Sequence, residues 1–237
     1  MNKVVFNWSG GKDSALALYH VLQQNQFEVT SLLTTINSKY NRISMHGVRK
    51  ELLQAQSEAI GIPVKEILLP EMPTMTDYND IMKKSMAALK DNDVEYSIFG
   101  DIFLEDLKNY REEKLKEVGI KAVFPLWKRN TSELIHEFMD LGFKTIVVCA
   151  NSQLGDDFTG RVIDNDFLKD LPKGIDPCGE NGEFHTFVFD GPIFKTPVKF
   201  EIGEKIQRDF PAPKEDEDSC NNNGKSASFY YCDLIPV

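Results

Sequence analysis

Apolar runs of strand length alternate with helical patterns through the first half of the chain. Residues 4–8 form the first apolar run, and apolar positions at helical spacing predict a helix over residues 15–24. Further strands are predicted at residues 29–34, 64–69, 96–99 and 122–124, and further helices at residues 48–60, 77–89 and 104–118. Such alternation favours a parallel sheet with helices on both faces. The sequence therefore predicts an α/β fold with a doubly wound parallel sheet.

This alternation weakens in the second half of the chain. The elements predicted there are a helix at residues 131–141, a buried strand at 144–149 and strands around 184–189, 198–202 and 228–234. We interpret this half as a second, smaller mixed α+β domain over the open edge of the first, so the expected domains are 1–128 and 129–237. Residues 211–225, which include three consecutive asparagines, are predicted to form a mobile loop between two strands.

The composition is that of an ordinary globular protein. Of the 237 residues, 41% are hydrophobic and 27% are charged, which is enough to build one large or two small cores. No apolar run approaches the roughly 20 residues of a membrane span, and the N-terminus lacks the charged start and apolar centre of a signal peptide. We expect a cytoplasmic protein that does not bind membranes.

Charge and cysteine content exclude further classes. A formal net charge of −10 argues against a large nucleic-acid footprint, because phosphate backbones repel an acidic surface. The 4 cysteines contain no Cys-x-x-Cys pair, so neither a zinc ribbon nor a dithiol redox centre is indicated. The sequence leaves the oligomeric state open, and a homodimer is compatible with it.

A glycine-rich turn separates the first predicted strand from the first predicted helix. Its residues are Ser9, Gly10, Gly11, Lys12, Asp13 and Ser14. The two glycines remove side chains that would keep backbone amides away from a ligand, and the following helix adds unpaired N-terminal donors and the positive end of its dipole. The serines can add hydroxyl donors and the lysine a cation. The turn is predicted to hold phosphate groups, the alternative being a glycine turn without a ligand.

The spacing of these residues distinguishes the turn from two common nucleotide-binding motifs. A Walker loop needs four residues between its glycines and a Gly-Lys-Ser/Thr ending, and the dinucleotide motif reads Gly-x-Gly-x-x-Gly. The six residues instead resemble the PP-loop, Ser-Gly-Gly-x-Asp-Ser, of the N-type ATP pyrophosphatases, which split ATP between its α and β phosphates. In open parallel sheets, ligands lie beyond the carboxyl ends of the strands. The loops expected to converge there begin at Ser9, Thr35, Pro70, Gly100 and Pro125.

A second polar motif lies within residues 176–186, Asp-Pro-Cys-Gly-Glu-Asn-Gly-Glu-Phe-His-Thr. A turn with two glycines precedes an alternating strand and concentrates carboxylates, an amide, an imidazole and a hydroxyl in a few residues. The candidate functional residues are Glu180, Asn181, Glu183, His185 and Thr186. Loops this polar are exposed by default, so a solvated hairpin turn is the alternative interpretation.

Together, the two motifs and the intervening Phe-Gly-Asp and Phe-Pro-Leu-Trp stretches resemble the diphthine ammonia ligase family, from the N-terminus to about Phe194. The resemblance implies a parallel sheet of the adenine nucleotide alpha hydrolase type. It also implies an ATP-dependent ligase that uses ammonium to convert the carboxylate of diphthine, a modified histidine on translation elongation factor 2, into an amide. The carboxylate would first be adenylated, with release of pyrophosphate and later of AMP.

The resemblance also implies roles for individual residues at the ATP end of the site. The PP-loop, Ser9 to Ser14, would bind ATP together with Gly100 and Asp101. Asp13 and Asp101 would hold Mg²⁺ on the phosphates, since this hard cation usually takes one or two protein carboxylates. A cap on the following helix is the alternative role for Asp13.

Other residues are implied at the substrate end. The expected catalytic residues are Lys12, Glu180, Glu183 and His185, and the expected substrate-binding residues are His46, Arg111, Asn181 and Thr186. The glutamates and His185 are candidates for binding ammonium or accepting its proton. As alternatives, Glu183 or His185 would fix the turn through hydrogen bonds, His46 would be a solvated loop residue, and Arg111 would pair with Glu112 or a neighbouring acid.

Three other functions stay open on the sequence. The acceptor could be a small-molecule carboxylate instead of elongation factor 2. A tRNA-modifying enzyme could use the same ATP activation, although it predicts a catalytic cysteine arrangement and a basic surface, and the chain shows neither. A nucleotide-binding module without turnover is the third.

Overall fold

The computed structural model describes residues 1–43, 46–210 and 227–237, so the loop predicted at 211–225 lies outside the described residues. The strands are β1 (Asn2–Asn7), β2 (Phe27–Asn37), β3 (Arg42–Ile43), β4 (Val64–Leu69), β5 (Tyr96–Ile98), β6 (Lys121–Val123), β7 (Lys144–Asn151), β8 (Phe184–Asp190), β9 (Phe200–Phe210) and β10 (Ala227–Pro236). The helices are α1 (Lys12–Gln24), α2 (Lys50–Ile60), α3 (Met75–Lys90), α4 (Glu105–Lys116), α5 (Thr131–Asp140), α6 (Gly155–Phe158) and α7 (Asn165–Asp170).

Five parallel strands form the first sheet, in the order β4-β2-β1-β5-β6. The short strand β3 pairs antiparallel with the end of β2, through Ile36 and Ile43. The chain moves outward from β1 to β4 and then returns to the other side of β1 at β5. The order of strands therefore reverses between β1 and β5, which is where open α/β sheets bind ligands.

Helices cover both faces of this sheet. Val5 and Phe6 are neighbours on β1, and their side chains point to opposite faces. Phe6 belongs to an apolar cluster that includes Leu18 of α1, whereas Val5 belongs to a second cluster that includes Met86 of α3 and Leu115 of α4. The predicted doubly wound α/β arrangement is confirmed.

Four antiparallel strands form the second sheet, in the order β8-β7-β10-β9. Together with α5, α6 and α7 they confirm the predicted mixed α+β character of the second half of the chain. Val147 of β7 and Phe187 of β8 share one buried apolar cluster with Leu18 of α1. Because this cluster runs through both halves, the domain boundary at residue 128 stays a prediction.

The starts of α3, α5 and α7 carry a local side-chain cap, whereas the start of α1 does not. At α3 a reciprocal capping box joins Thr74 and Asp77, with 3.1 Å between the Asp77 amide nitrogen and Thr74 Oγ1. At α5 the side chain of Asn130 accepts a hydrogen bond from the Glu133 amide at 3.1 Å. At α1 the preceding residue is Gly11, which has no side chain to provide a cap. The first turn of α1 therefore depends on other parts of the chain.

None of the helices in the described part of the chain has the length and apolar content that a membrane span requires.

Candidate functional site

The loop between β1 and α1 is held by hydrogen bonds among its own residues. Ser14 Oγ donates to the carbonyl oxygen of Gly11 at 2.8 Å and lies 3.1 Å from Ser9 Oγ. Because the Ser14 proton is used on Gly11, Ser9 is the donor between the two hydroxyls. Ser9 Oγ in turn accepts from the Gly11 amide at 3.2 Å. Both serines therefore shape the loop in addition to any contact with a ligand.

Three glycines allow close approach of backbone segments around this loop. Gly10 has a φ of +79°, a left-handed conformation that favours glycine. A Cβ on Gly11 would lie 3.1 Å from the carbonyl oxygen of Thr186, and a Cβ on Gly100 would lie 3.0 Å from the carbonyl oxygen of Asp13. The loops after β1 and β5, which are neighbours in the first sheet, thus meet the strand β8 of the second sheet at one point.

Strand β8 binds the loop directly. The Val188 amide donates to the carbonyl oxygen of Gly10 at 2.9 Å, and the Lys12 amide donates to Thr186 Oγ1 at 3.0 Å. Thr186 therefore supplies the hydroxyl that α1 lacks at its own N-terminus. The two sequence motifs, which lie more than half the chain apart, form one site.

Lys12 and Asp13 form an ion pair in the mouth of the loop. Lys12 Nζ lies 2.7 Å and 3.0 Å from the two Asp13 carboxylate oxygens and 5.4 Å from the centre of the Phe184 ring. Burial disfavours the charged form of Lys12, but the acidic groups of Asp13, Cys178 and Glu180, with Asp13 the largest contributor among them, together outweigh it and raise the pKa of Lys12. Burial also raises the pKa of Asp13, against the opposing effect of Lys12. The Asp13 side chain, in the first turn of α1, faces this lysine.

Asp101 carries a buried oxygen that lacks a partner. Its Oδ1 lies 3.2 Å from Arg111 Nη2, whereas its Oδ2 has no hydrogen-bond partner among the described residues. Burial raises the pKa of Asp101, Arg111 opposes this effect, and nearby Asp13 adds to it. An unsatisfied buried acceptor costs free energy, so Oδ2 is an atom suited to a ligand. Arg111 pairs with Asp101, and Glu112 pairs instead with Lys108.

The donor set fits magnesium better than a transition metal. Among the described residues, no group of three or more His, Cys, Asp or Glu side chains could hold a metal ion. Mg²⁺ usually takes only one or two protein carboxylates and completes its shell with water and substrate phosphates. Asp13 and Asp101 are two such carboxylates, and they are close enough for Asp13 to raise the pKa of Asp101.

Glu180 lies close to the charged groups of the loops after β1 and β5, which are Lys12, Asp13 and Asp101. Its Oε1 accepts a hydrogen bond from the Ile102 amide at 2.8 Å, directly after Asp101 in the sequence. Burial is the main cause that raises the pKa of Glu180 to about 7, and the Asp13 carboxylate adds to it. A carboxyl group that titrates near neutral pH can both accept and release a proton under ordinary conditions.

Glu183 holds the turn of the second motif. Its side chain is 5% exposed. One carboxylate oxygen accepts from the Asp176 amide at 3.1 Å, and the other accepts from the Asn181 amide at 2.9 Å. The Asn181 side-chain nitrogen is a third donor, at 3.1 Å. These contacts match the structural alternative considered for Glu183, and its predicted catalytic role stays untested.

His46 and His185 form a pair of neutral imidazoles. Their ring centres are 4.7 Å apart, and His46 Nδ1 lies 3.3 Å from the carbonyl oxygen of Thr186. A carbonyl only accepts, so this bond requires a proton on Nδ1 and leaves the lone pair on Nε2. Burial is the main cause that lowers the pKa of His46 to about 4 and that of His185 to about 3. His46 therefore contacts the second motif and is not a solvated loop residue.

This pair predicts a loss of stability in mild acid. Both pKa values are below the ordinary 6.5, so the unfolded chain binds more protons than the folded one once the pH falls below about 6.5. We expect the melting temperature to fall from that pH through about pH 4 to about pH 3. Measured by circular dichroism, the slope should be smaller in His185→Gln and unchanged in His136→Gln, whose side chain is exposed. An unchanged slope in His185→Gln would refute this assignment.

Asp233 and Gln56 were not among the predicted site residues, but both make hydrogen bonds to segments that carry the site. Asp233 of β10 accepts hydrogen bonds from Arg42 Nη1 at 2.8 Å and Arg49 Nη2 at 2.6 Å, on both sides of the His46 loop. Burial raises the pKa of Asp233, but the two arginines outweigh it and lower that pKa to about 2. The second residue is Gln56, a fully buried amide on α2. Its position among the apolar residues of a predicted helix could have indicated, from the sequence alone, a buried polar group with specific hydrogen-bond partners.

A cleft of about 1420 Å³ connects these groups. The predicted site residues that line it are Ser9, Gly11, Lys12, Asp13, Ser14, His46, Gly100, Asp101, Arg111, Glu180, Asn181, His185 and Thr186. Gly10 and Glu183 lie behind this surface. Small-molecule sites usually measure roughly 300–1,000 Å³, so the cleft has room for a nucleotide and a second reactant. The roles of these residues stay predictions.

The chain matches two family models. The diphthamide synthase N-terminal domain matches residues 2–122, and the diphthamide synthase C-terminal domain matches residues 130–210. A diphthine–ammonia ligase from Bos taurus is 30% identical over 111 residues, which are 44% of this chain and 41% of that protein. One from Schizosaccharomyces pombe is 23% identical over 228 residues, 86% of this chain and 37% of that protein. The chain thus spans about two-fifths of these relatives' length.

A solved structure also aligns with part of the chain. It is a U34-tRNA thiolase from Methanococcus maripaludis with its iron–sulfur cluster, at 21% identity and a TM-score of 0.36. The alignment covers 59% of this chain and 57% of that chain.

Proposed function

The chain belongs to the diphthamide synthase family, and on that premise we propose that it is an ATP-dependent ligase that converts the carboxylate of diphthine on elongation factor 2 into an amide. The observation that carries this proposal is the junction of the two motifs, where Val188 and Thr186 bind the backbone of Gly10 and Lys12. This junction puts the loop of residues 9–14, which we propose to bind phosphates, beside a carboxylate and two imidazoles. A ligase of this kind needs groups that bind the ATP phosphates close to groups that bind ammonia or accept its proton.

ATP would bind along the loop of residues 9–14. The Gly11 backbone, the N-terminus of α1 and the Lys12 ammonium provide donors and positive charge for phosphates. Mg²⁺ would be held by Asp13 and Asp101, which the partnerless Asp101 Oδ2 supports, and it would neutralise charge on the departing pyrophosphate. A carboxylate is a poor electrophile, so the proposed chemistry is attack of the acceptor carboxylate on the α phosphate, which gives an acyl adenylate and pyrophosphate.

Ammonia would then displace AMP from the acyl adenylate. The attacking nitrogen must lose a proton, and Glu180 is the group we propose to receive it, because its pKa is near 7 and it lines the cleft. His46 and His185 are both neutral. The lone pair on His46 Nε2 would accept a hydrogen bond from ammonia. Arg111 would bind an anionic group of the acceptor after exchange of its contact with Asp101.

Product analysis tests this proposal. With α-labelled ATP, Mg²⁺, isotope-labelled ammonium and diphthine-bearing elongation factor 2, we expect AMP, pyrophosphate and labelled amide in equal amounts. Thin-layer chromatography identifies the nucleotide, and mass spectrometry of the acceptor peptide locates the label. A reaction without ammonium serves as the control and should form no amide.

Each other product would contradict one part of the proposal. ADP would refute cleavage between the α and β phosphates. AMP and amide formed on a small carboxylate but not on elongation factor 2 would refute the acceptor. Binding of ATP without turnover under all these conditions would refute the enzymatic function itself.

A further inference from the structure

Gln56 makes hydrogen bonds to Trp8 directly after β1, to the loop of residues 9–14 and to β8. It lies on α2 with an exposed fraction of 0%, and its side-chain amide makes three hydrogen bonds. Oε1 accepts from Trp8 Nε1 at 2.9 Å. Nε2 donates to the carbonyl oxygen of Gly10 at 3.0 Å and to that of Val188 at 2.6 Å. Both amide protons are therefore used on backbone carbonyls, one in the loop and one in β8.

These bonds fix the plane of the peptide between Gly10 and Gly11. The Gly10 carbonyl oxygen accepts from Gln56 Nε2 and also from the Val188 amide at 2.9 Å. In a planar trans peptide the carbonyl and the following N–H point in opposite directions. Holding the Gly10 oxygen toward Gln56 and β8 thus directs the Gly11 N–H away from them, toward Ser9 Oγ, which accepts it at 3.2 Å and lines the cleft together with Gly11.

A peptide between two glycines needs such a restraint. Glycine adopts positive and negative φ about equally well, so the Gly10–Gly11 peptide can rotate at small cost in an isolated chain. The reversed plane would aim a carbonyl oxygen into the cleft, where it would repel phosphate oxygens. Gly10 also fits closely, since a Cβ there would lie 2.8 Å from Gln56 Oε1.

We infer that Gln56 is a positioning residue for phosphate binding, which acts on ATP through the Gly10–Gly11 peptide without touching the nucleotide. The inference rests on the proposed function, because it requires that phosphates bind in this loop. It also explains why an amide, which is costly to bury, stands fully buried on the apolar stripe of α2.

The test compares nucleotide affinities of Gln56→Met with those of wild type and Ser57→Ala. Ser57 is the neighbouring buried polar residue on α2, and its hydroxyl binds the Ile62 carbonyl at 2.7 Å, away from the loop. By isothermal titration calorimetry we expect Gln56→Met to raise the Kd for ATP by about tenfold or more, because a tenfold change in Kd corresponds to the loss of about one net hydrogen bond. The Kd for adenosine, which lacks phosphates, should stay at the wild-type value, and Ser57→Ala should change neither.

The outcomes separate this inference from the proposed function. Failure of the wild-type protein to bind ATP would overturn the proposed function. Wild-type binding with an unchanged Kd for ATP in Gln56→Met would overturn the inference alone, even if the melting temperature fell. Should Gln56→Met not fold, Gln56→Glu carries the same test, because it keeps the shape and the contact with Trp8 but has at most one donor, the hydroxyl of the neutral acid, for the Gly10 and Val188 carbonyls. Loss of folding in both variants would also overturn it.

Discussion

Replacement of Lys12 by methionine is expected to lower kcat/KM for ATP by about 10²–10³-fold, the usual effect of removing one preorganised charge or donor from a reacting group. Lys12 is the buried cation of the loop, with Nζ 2.7 Å from Asp13 and over the Phe184 ring. Methionine keeps the apolar stem but not the charge, so the loop should keep its shape and lose attraction for phosphates. Initial rates of AMP release measure the effect.

The control for Lys12 is a lysine outside the site. Lys169 is exposed on α7 and pairs with Asp166 at 2.8 Å, so Lys169→Met should keep the wild-type kcat/KM. The melting temperature of Lys12→Met should be recorded as well, since the variant leaves Asp13 without its cation. A folded Lys12→Met with wild-type kcat/KM would contradict the assignment of Lys12 to the phosphates.

Much of the first sheet could be predicted because each of its strands and helices is indicated by the pattern of residues within its own segment. Each strand from β1 to β6, apart from β3, is a short apolar run, and each helix from α1 to α4 repeats apolar positions every three or four residues. The predicted bounds differ from the observed ones by a few residues. The elements that were missed are β3, a strand of 2 residues, and α6 and α7, helices of 4 and 6 residues that are shorter than two helical turns and so do not show a helical repeat.

The second sheet shows where local patterns stop being informative. Its strands were predicted, although β9 continues to Phe210 and so ends eight residues beyond the predicted strand. Their order β8-β7-β10-β9 follows from pairings between segments far apart in the chain, such as Cys149 with Tyr231. Side-chain alternation shows that a strand is half-buried and does not identify its partner. The junction of β8 with the loop of residues 9–14 is likewise a tertiary contact, so the sequence predicted that the two motifs meet through a family resemblance and not through periodicity.

The same limit applies to individual residues of the site. Glu180 and Glu183 are the same residue type in one turn, and the sequence could not rank them. The structure separates them, since Glu183 accepts three hydrogen bonds from nearby nitrogens, whereas Glu180 faces the cleft near Asp13. Asp233 was missed for a related reason, because the arginines that define its role lie at the opposite end of the sequence.

This separation leads to the second large expected effect, in Glu180→Gln. We expect amide formation to fall by about 10²–10⁴-fold, the range for loss of a general base, while ATP–pyrophosphate exchange stays near the wild-type rate. Glutamine keeps an oxygen that can accept from the Ile102 amide, now at 2.8 Å from Glu180, so the loop after β5 should not move. It cannot accept the proton that ammonia must lose. Exchange of labelled pyrophosphate into ATP and labelled ammonium into the acceptor measure the two steps separately.

Glu183→Gln is the matched control, because it makes the same chemical change three residues away. Its carboxylate holds the turn through the Asp176 and Asn181 amides, so the variant should lower the melting temperature and reduce both steps together as the turn loosens. Glu180→Gln should instead split the two steps and leave the melting temperature near wild type, since it removes a carboxylate whose pKa is already raised by burial and by Asp13. Equal loss of both steps in Glu180→Gln would place Glu180 in the adenylation step and leave the ammonia proton to the His46–His185 pair.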